Sequence, residues 1–382
     1  MTRVKEKKKK KLWLRIFLSL LIIGVLASGY FIYQVFGAVD QSYDPLNRKK
    51  SDKRDKEVTM DEPFTVLLVG TDVKSAKAKN WRSDTMIVAA VNPKKKSIKM
   101  VSVPRDTYAE IANSNGVKTK LNAAPYYGTQ NRVGPMTNTV QTLENYLNIP
   151  IDYYVKINFS GFIQVVDALG GVDVDVPFNF NMRLFYKWYT FKQGPTHLDG
   201  HEALAYVRMR KSDPRGDAGR NERQREVVQN LMSQAVSLNS VSKIDDVLKA
   251  VGDNVSHNMK VSEMYKLQST YRSIPKDRTE TLKVQGYDSK DNPQGIWYHY
   301  INDNERLRIS HILQKELELP LETLDGQKFQ GQSPAEEGAD QTEGTPERGN
   351  GTGSTPQNGT NNGTNNGTQN GTTGGSSGSP GY

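Results

Sequence analysis

Seven charged side chains set out the chemistry open to this chain: Asp72, Asp84, Arg82, Arg105, Arg208, Arg210 and Arg220. They sit in the short motifs Gly70-Thr71-Asp72, Arg82-Ser83-Asp84, Pro104-Arg105-Asp106 and Tyr206-Val207-Arg208-Met209-Arg210, with Arg220 and Gln224 following. Guanidinium forks pair with phosphate oxygens in two-pronged geometry and stay charged at every working pH. A hard divalent cation is commonly held by one or two carboxylates together with phosphate oxygens. The set therefore has the parts to hold a pyrophosphate, with Asp72 and Asp84 as magnesium ligands. Histidine and cysteine play no evident part, which argues against base-activated nucleophiles and soft metals.

Each residue alone has a simpler explanation. Asp72 follows the apolar run Phe64–Val69, and Asp84 just precedes the run Thr85–Val91. Strand ends are where open α/β sheets bind ligands, but a lone aspartate there is more simply a turn residue or helix cap. Arg82 and Asp84 are two apart, and so are Arg208 and Arg210. In extended chain that spacing puts both members of a pair on one side. Any single arginine is more simply a surface ion pair, with Asp106, Asp213 and Asp217 as available partners. Arg220 and Gln224 are one helical turn apart, with Val227, Val228 and Leu231 continuing near that face. A polar head group at Arg220 with an apolar tail beyond it fits this stripe. By spacing alone, an amphipathic helix packed on a core fits better.

Other motifs carry less. His197 and His201 have zinc-ligand spacing if helical, but no third ligand is evident and Gly194, Pro195 and Gly200 break the helix. There is no Walker-type loop and no nucleophile elbow. Tyr126-Tyr127 and Trp188-Tyr189 suit a groove, though ordinary packing explains them as well.

The elements that must position these residues follow from the pattern. Phe64–Val69, Thr85–Val91, Ile98–Val103, Asp152–Asn158 and Val172–Val176 read as strands. Pro135–Leu147, Phe159–Leu169, Asp217–Leu238, Val241–Ala250 and Asn302–Leu317 read as helices. Mixed strands and helices predict an α/β sandwich with a mixed sheet. The chain has 382 residues, no cysteine and a net charge of +9. Much of that charge lies in the lysine-rich residues 1–15. Residues 16–36 are apolar and long enough to span a bilayer, and the lysines before them place the N-terminus in the cytoplasm. A cleaved signal peptide is the weaker alternative. Residues 37–62 read as a stalk, 63–325 as the folded domain, and 326–382 as a disordered tail. The tail's Asn-Gly-Thr repeats fit glycosylation acceptors, but a plain hydrophilic tail explains them better. The basic excess flanks a membrane segment, so it does not mark a nucleic-acid face.

In order and spacing, the motifs resemble the LytR-CpsA-Psr proteins of bacterial cell envelopes. The matching stretches are Val69-Gly-Thr-Asp72, Arg82-Ser-Asp84-Thr85, Ser102-Val-Pro-Arg105-Asp106, Lys120-Leu-Asn-Ala-Ala124, Asp167-Ala-Leu-Gly-Gly171-Val172 and Tyr206-Val-Arg208-Met-Arg210. Asp217, Arg220, Arg223 and Gln224 follow. The resemblance implies an α/β/α sandwich with a greasy polyprenyl pocket. It implies an extracellular phosphotransferase, anchored in the cell membrane by one span. Such an enzyme moves an anionic or secondary wall glycopolymer from undecaprenyl pyrophosphate to a peptidoglycan sugar hydroxyl. Asp72 and Asp84 would hold magnesium, with manganese as a substitute. Arg82, Arg105, Arg208, Arg210 and Arg220 would bind the pyrophosphate with Gln224 beside them. The catalytic set is then Asp84, Arg105 and Asp106, and either aspartate would serve as general base. Three other readings stand beside this one: a polyprenyl-pyrophosphate hydrolase, a non-catalytic wall or lipid-carrier tether, and a transcriptional regulator. The last conflicts with an exported domain that shows no helix-turn-helix.

Overall fold

Three of the apolar runs become a meander. β1 (Phe64–Thr71), β2 (Ser83–Asn92) and β3 (Ser97–Ser102) pair antiparallel in sequence order. The computed structural model describes residues 42–321, apart from 47, 77 and 238–251. Short ribbons branch off the meander, among them β4 (Tyr108–Glu110) with β5 (Lys118–Lys120). β6 (Tyr153–Asn158) adds to β1 in parallel. Further along come the ribbon of β7 (Val172–Val176) with β10 (Gly194–Leu198) and the hairpin of β8 (Phe180–Leu184) with β9 (Lys187–Phe191). β11 (Val255–His257) and β12 (Thr279–Leu282) close the two edges of the main sheet, giving the order β11-β6-β1-β2-β3-β12. β13 (Tyr287–Ser289) and β14 (Tyr298–Tyr300) form a last small ribbon.

The sheet is covered on both faces, which is why β1 is an unbroken apolar run and not an alternating one. Leu67 and Val69 face α2 (Pro135–Leu147) and α7 (Asp303–Glu316), packing with Val140, Leu143, Ile309 and Leu313. Phe64 and Val66 face the other way and pack with Met259 and Ile274, on the side of α5 (Asp217–Ser237) and α6 (Val261–Ser273). The short α1 (Ala124–Gln130) packs on α2. A separate core joins α3 (Phe159–Ala168), α4 (Gly200–Arg208) and the β7–β10 strands, with Tyr206 fully buried among Phe180 and Phe191. The expected mixed α/β architecture is present.

Local signals set the helix ends. Pro135 opens α2, where its missing N–H costs nothing, and Asn148 closes it in the left-handed region at φ 48°. The Asn158 side chain accepts from Gly161 N at 2.8 Å and starts α3. Gly170 and Gly171 end that helix at φ 88° and 96°. A Cβ on Gly171 would lie 2.3 Å from the His197 ring. Asn302 caps α7 by accepting from Glu305 N. The expected helix at 241–250, the span at 16–36 and the tail at 326–382 lie outside the described residues. Among the described residues no helix is long and apolar enough to cross a membrane.

Residues 42–62, expected as part of a stalk, pack onto the domain. Arg48 makes two bonds to Glu144, of 2.5 and 2.8 Å, and Ser51 donates to the same carboxylate. Arg54 makes two bonds to Asp152, of 3.0 and 2.8 Å. Met60 is buried in the sheet core. The lack of apolar periodicity there reflects docking by ion pairs, which leaves no period to read.

Candidate active site

The site begins at a break in the β1–β2 ladder. Gly70 pairs with Thr85 but Thr71 pairs with Ser83, so Asp84 is an extra residue on β2. Such a bulge re-aims a side chain next to a functional site. Gly70 fits here because a Cβ would come within 3.2 Å of the Thr85 Cβ. Asp84 accepts from Arg105 Nη1 at 2.5 Å. Arg105 also lies 3.6 Å from Asp106, whose other oxygen takes a 2.8 Å bond from Lys120. Burial alone would lower the Arg105 pKa, but the carboxylates of Asp106 and Asp84 outweigh it and raise it.

The second half comes from α4 and α5. Arg208 is the last residue of α4, where a cation suits the helix dipole. Its guanidinium lies 4.4 Å from the centre of the Phe159 ring. Met209 then turns the chain out of the helix (φ −59°, ψ 130°) toward Arg210. Asp217, at the start of α5, holds Arg210 at 3.0 Å and Arg220 at 2.7 Å. Burial lowers the Arg220 pKa; Asp217 opposes this, while nearby Arg105 and Arg210 reinforce it. Behind them sits Arg223, 1% exposed. It donates from Nε to the Tyr206 carbonyl at 3.1 Å, and its fork reaches the Met209 carbonyl and Asp213. Gln224 donates to the Val207 carbonyl at 3.3 Å. Arg223 and Gln224 thus hold the segment that presents Arg208 and Arg210.

These groups open into one cavity of about 770 Å³. Asp84, Arg105, Arg208, Arg210, Arg220 and Gln224 line one part of it. Leu68, Ile87, Val155 and Ile157 of the sheet line an apolar part, with Phe162 and Val165 of α3 and Val228, Leu231 and Met232 of α5, while Asn158, Asn181, Arg183 and Lys211 also reach the wall. Arg220, Gln224, Val228 and Leu231 recur at helical spacing, so one face of α5 runs from guanidinium to alkane. Val227, grouped with this stripe by sequence, instead points into the core beside Tyr206. Thr71 Oγ1, Arg220 Nε and Gln224 Oε1 are buried without a hydrogen-bond partner among the described residues. An unmet buried polar atom costs about 1–3 kcal/mol, and a phosphate-bearing ligand in this cavity would relieve that cost.

Six of the sequence-predicted residues are therefore brought together. Asp72, Arg82 and Asp106 are not among the residues that line the cavity. Asp72 and Arg82 are exposed at the β1 end and just before β2. The bulge at Asp84 breaks the simple alternation that would set Arg82 beside it. Asp106 is engaged by Lys120 and Arg105. Among the described residues no group of three or more histidine, cysteine or acidic side chains could hold a metal. Magnesium makes no such demand, because two carboxylates with phosphate oxygens and water suffice; Asp84 on the cavity wall has oxygen donors of the right kind, while Asp72 at the adjoining strand end lies outside the lining. His197 pairs with Asp173 at 2.7 Å on β10, and the helix bearing His201 starts only at Gly200. In the sequence, Asp217 and Arg223 stand out only as an ion-pair partner and as members of the matching motifs, and Trp188 only as a groove aromatic that packing explains. Asp217 and Arg223 carry signal in their spacing to Arg220. Trp188, 64% exposed on the cavity rim, carries none beyond its type.

Comparison with known proteins agrees with this geometry. Residues 29–315 match the model of the LytR_cpsA_psr family. Polyisoprenyl-teichoic acid–peptidoglycan teichoic acid transferase TagV of Bacillus subtilis (strain 168) is 38% identical over 323 residues, covering 83% of this chain and 81% of that protein. The transferase TagU of Halalkalibacterium halodurans is 39% identical over 317 residues, covering 82% and 99%. The crystal structure of B. subtilis TagV superposes with a TM-score of 0.60 at 38% identity, over 68% of this chain and 99% of that one. TagT bound to LIIa-WTA gives a TM-score of 0.60 at 31% identity, over 72% and 100%. With three quarters of its length matched and its motifs converging on one cavity, this chain belongs to the LytR_cpsA_psr family.

Proposed function

We propose that this protein is a phosphotransferase that moves a teichoic-acid-type glycopolymer, with one phosphate, from a polyprenyl-pyrophosphate carrier onto a peptidoglycan sugar hydroxyl. The observation that carries the reading is the single cavity whose charged end continues into an apolar interior. Arg105, Arg208, Arg210 and Arg220, with Arg183 and Lys211 also on the cavity wall, outnumber the carboxylates of Asp84 and Asp217 and leave a positive excess. That excess matches a pyrophosphate diester, and the apolar part suits an isoprenoid chain. The TagU and TagV relatives, named as transferases of this kind, support the same substrate class.

In the reaction the acceptor oxygen attacks the polymer-side phosphorus. The bond to the bridging oxygen breaks, and polyprenyl phosphate leaves. Such transfers are catalysed chiefly by positioning and charge stabilisation. Arg208, Arg210 and Arg220 hold the leaving phosphate, while Arg105 turns from Asp84 toward the phosphorus under attack. Asp84 would take the acceptor proton, a role supported by its place in the cavity lining, from which Asp106 is missing; Asp106 would orient Arg105. Magnesium, or manganese, held by Asp84 and Asp72, would offset phosphate charge when bound. Arg82, exposed just before β2 and outside the cavity lining, would meet only a part of the polymer that extends beyond the cavity. Residues 16–36 would anchor the enzyme with its domain outside the membrane.

The test is mass spectrometry of peptidoglycan oligomers incubated with the full-length chain, a polyprenyl-pyrophosphate-linked glycan and magnesium. A glycan-phosphate adduct is expected, and Arg105→Ala should lower its yield by about 100-fold or more without changing the melting temperature. Full activity in a folded Arg105→Ala protein would overturn the assignment. Phosphate release with no adduct would point to hydrolysis.

A further inference from the structure

The β8–β9 hairpin ends in a turn that is poor as local structure. Leu184 pairs with Lys187, so Phe185 and Tyr186 form a two-residue loop. Both have positive φ, 48° and 66°. That is the pattern of a turn for which Asn-Gly is the favoured pair, because bulky side chains resist the left-handed region. Here both positions are aromatic, and they project outward: Phe185 is 57% exposed and Tyr186 is 91% exposed. Neither lines the cavity, but their neighbours Met182, Arg183 and Trp188 do. The hairpin from Phe180 to Lys192 carries Arg183, Lys187 and Lys192 and no carboxylate side chain. The Arg183 guanidinium lies 5.7 Å from the centre of the Tyr186 ring.

We infer that this hairpin tip is a membrane-contact element that seats in the headgroup zone of an anionic bilayer at the mouth of the cavity. Tryptophan and tyrosine favour the membrane–water boundary, where an apolar ring and a polar edge are both satisfied. Lysine and arginine beside them gain from anionic lipid phosphates. A glycan-binding surface would set carboxylates around the rings to bond sugar hydroxyls, and the hairpin itself supplies none; the Phe185 ring instead meets the His201 ring edge-on, centroids 6.3 Å apart. The rim position of Trp188 adds a consequence that rests on the proposed lipid-linked donor: an isoprenoid chain would pass from bilayer to cavity without crossing water.

The absence of cysteine allows a direct test. Lys187→Cys in the full-length chain gives one site for a nitroxide. The protein is reconstituted in phosphatidylglycerol-containing vesicles with neither donor nor acceptor, so failure of the transfer reading leaves the measurement intact. Collision with oxygen and with a water-soluble nickel chelate is read by electron paramagnetic resonance. The label should be shielded several-fold from nickel in vesicles relative to detergent. The same label in Phe185→Asn/Tyr186→Gly, whose turn suits the backbone better, should lose that shielding. This variant should keep its transfer rate with a short-chain, detergent-soluble donor. Equal nickel access in vesicles and detergent would overturn the inference. Shielding that survives the double substitution, or that arises only with added peptidoglycan strands, would overturn it as well.

Discussion

Replacing Arg223 with methionine tests whether the pyrophosphate arginines depend on a buried brace. The side chain is 1% exposed, and its partner Asp213 has a fully buried side chain. Removing one member of a buried pair typically costs about 3–5 kcal/mol, because the other charge is stranded. Arg215 still gives Asp213 a backbone N–H at 2.8 Å and an Nε–H at 3.2 Å, which offsets part of that. The Tyr206 and Met209 carbonyls lose a donor each, at about 1 kcal/mol apiece. A net loss of about 3–4 kcal/mol follows. At roughly 2–4 °C per kcal/mol for a domain of this size, melting should fall by roughly 6–16 °C. Burial would raise the Asp213 pKa, but the Arg215 N–H and the guanidiniums of Arg223 and Arg215 bring it below its ordinary value. A carboxylate with a folded pKa below its unfolded one stabilises above the unfolded pKa. That contribution disappears as pH falls through the folded value. The gap between wild type and Arg223→Met should therefore be full at neutral pH and shrink below about pH 4. Transfer measured well below the melt should drop more than about tenfold, since the loosened segment presents Arg208 and Arg210. Arg223→Lys, which keeps the charge but not the fork, should fall between. A melting temperature within roughly 2 °C of wild type, or a gap that persists unchanged in acid, would refute the brace.

Three further substitutions probe the helix and the sheet. Val228→Asp puts a carboxylate in the apolar part of the cavity, so polyprenyl phosphate binding, read by the part of the tryptophan fluorescence change that Trp188→Phe removes, should weaken more than about tenfold while the fold survives. Val227→Asp, one residue away but fully buried, should prevent folding, and similar behaviour of the two would contradict the helix register. Lys156 is 2% exposed, its ammonium lies 4.7 Å from the Trp81 ring centre, and burial lowers its pKa to about 8. The unfolded chain keeps that proton up to about pH 10.4, so this group makes stability rise between roughly pH 8 and 10.4. Lys156→Met should stabilise the protein at pH 7 by about 1–3 kcal/mol, with the gain fading toward pH 10 in a denaturant series; a loss at pH 7 would refute it.

The strands and long helices were legible because their signals are local. Residues 64–69, 135–147 and 172–176 have apolar periods bounded by Pro, Asn or Gly. Helix α4 was legible in principle, since Asp199 and Glu202 form a capping box, but Gly194, Pro195 and Gly200 around His197 and His201 read as helix breakers. β8–β9 was not legible: its turn is Phe-Tyr where turn chemistry calls for Asn-Gly. β11 and β12 were not either, since three or four residues acquire strand identity only from the edge they complete. At the site, residue types were readable and directions were not. The bulge at Asp84 depends on pairing with β1, and the i, i+2 relation of Arg208 and Arg210 straddles a helix end.

The same geometry explains how four arginines can share one end of a cavity. Burial disfavours the Arg220 charge, and repulsion from Arg105 and Arg210 adds to the effect. Asp217 bridges two of these three, and Asp84 neutralises the third. Asp217 is fixed at the start of α5 and serves an intrahelical pair, so it stays. Asp84 stands on a bulge at a strand end and holds Arg105 by one contact, so it can be exchanged. On the proposed reading, an incoming pyrophosphate competes with Asp84 for Arg105, and the freed carboxylate becomes available to the acceptor proton or to magnesium. Asp84→Asn should then uncouple the two roles. The amide still lies beside Arg105 but cannot take a proton, so donor binding should persist while transfer is lost. Parallel loss of both would mean that Asp84 serves donor binding, through Arg105 or magnesium, and not the acceptor proton.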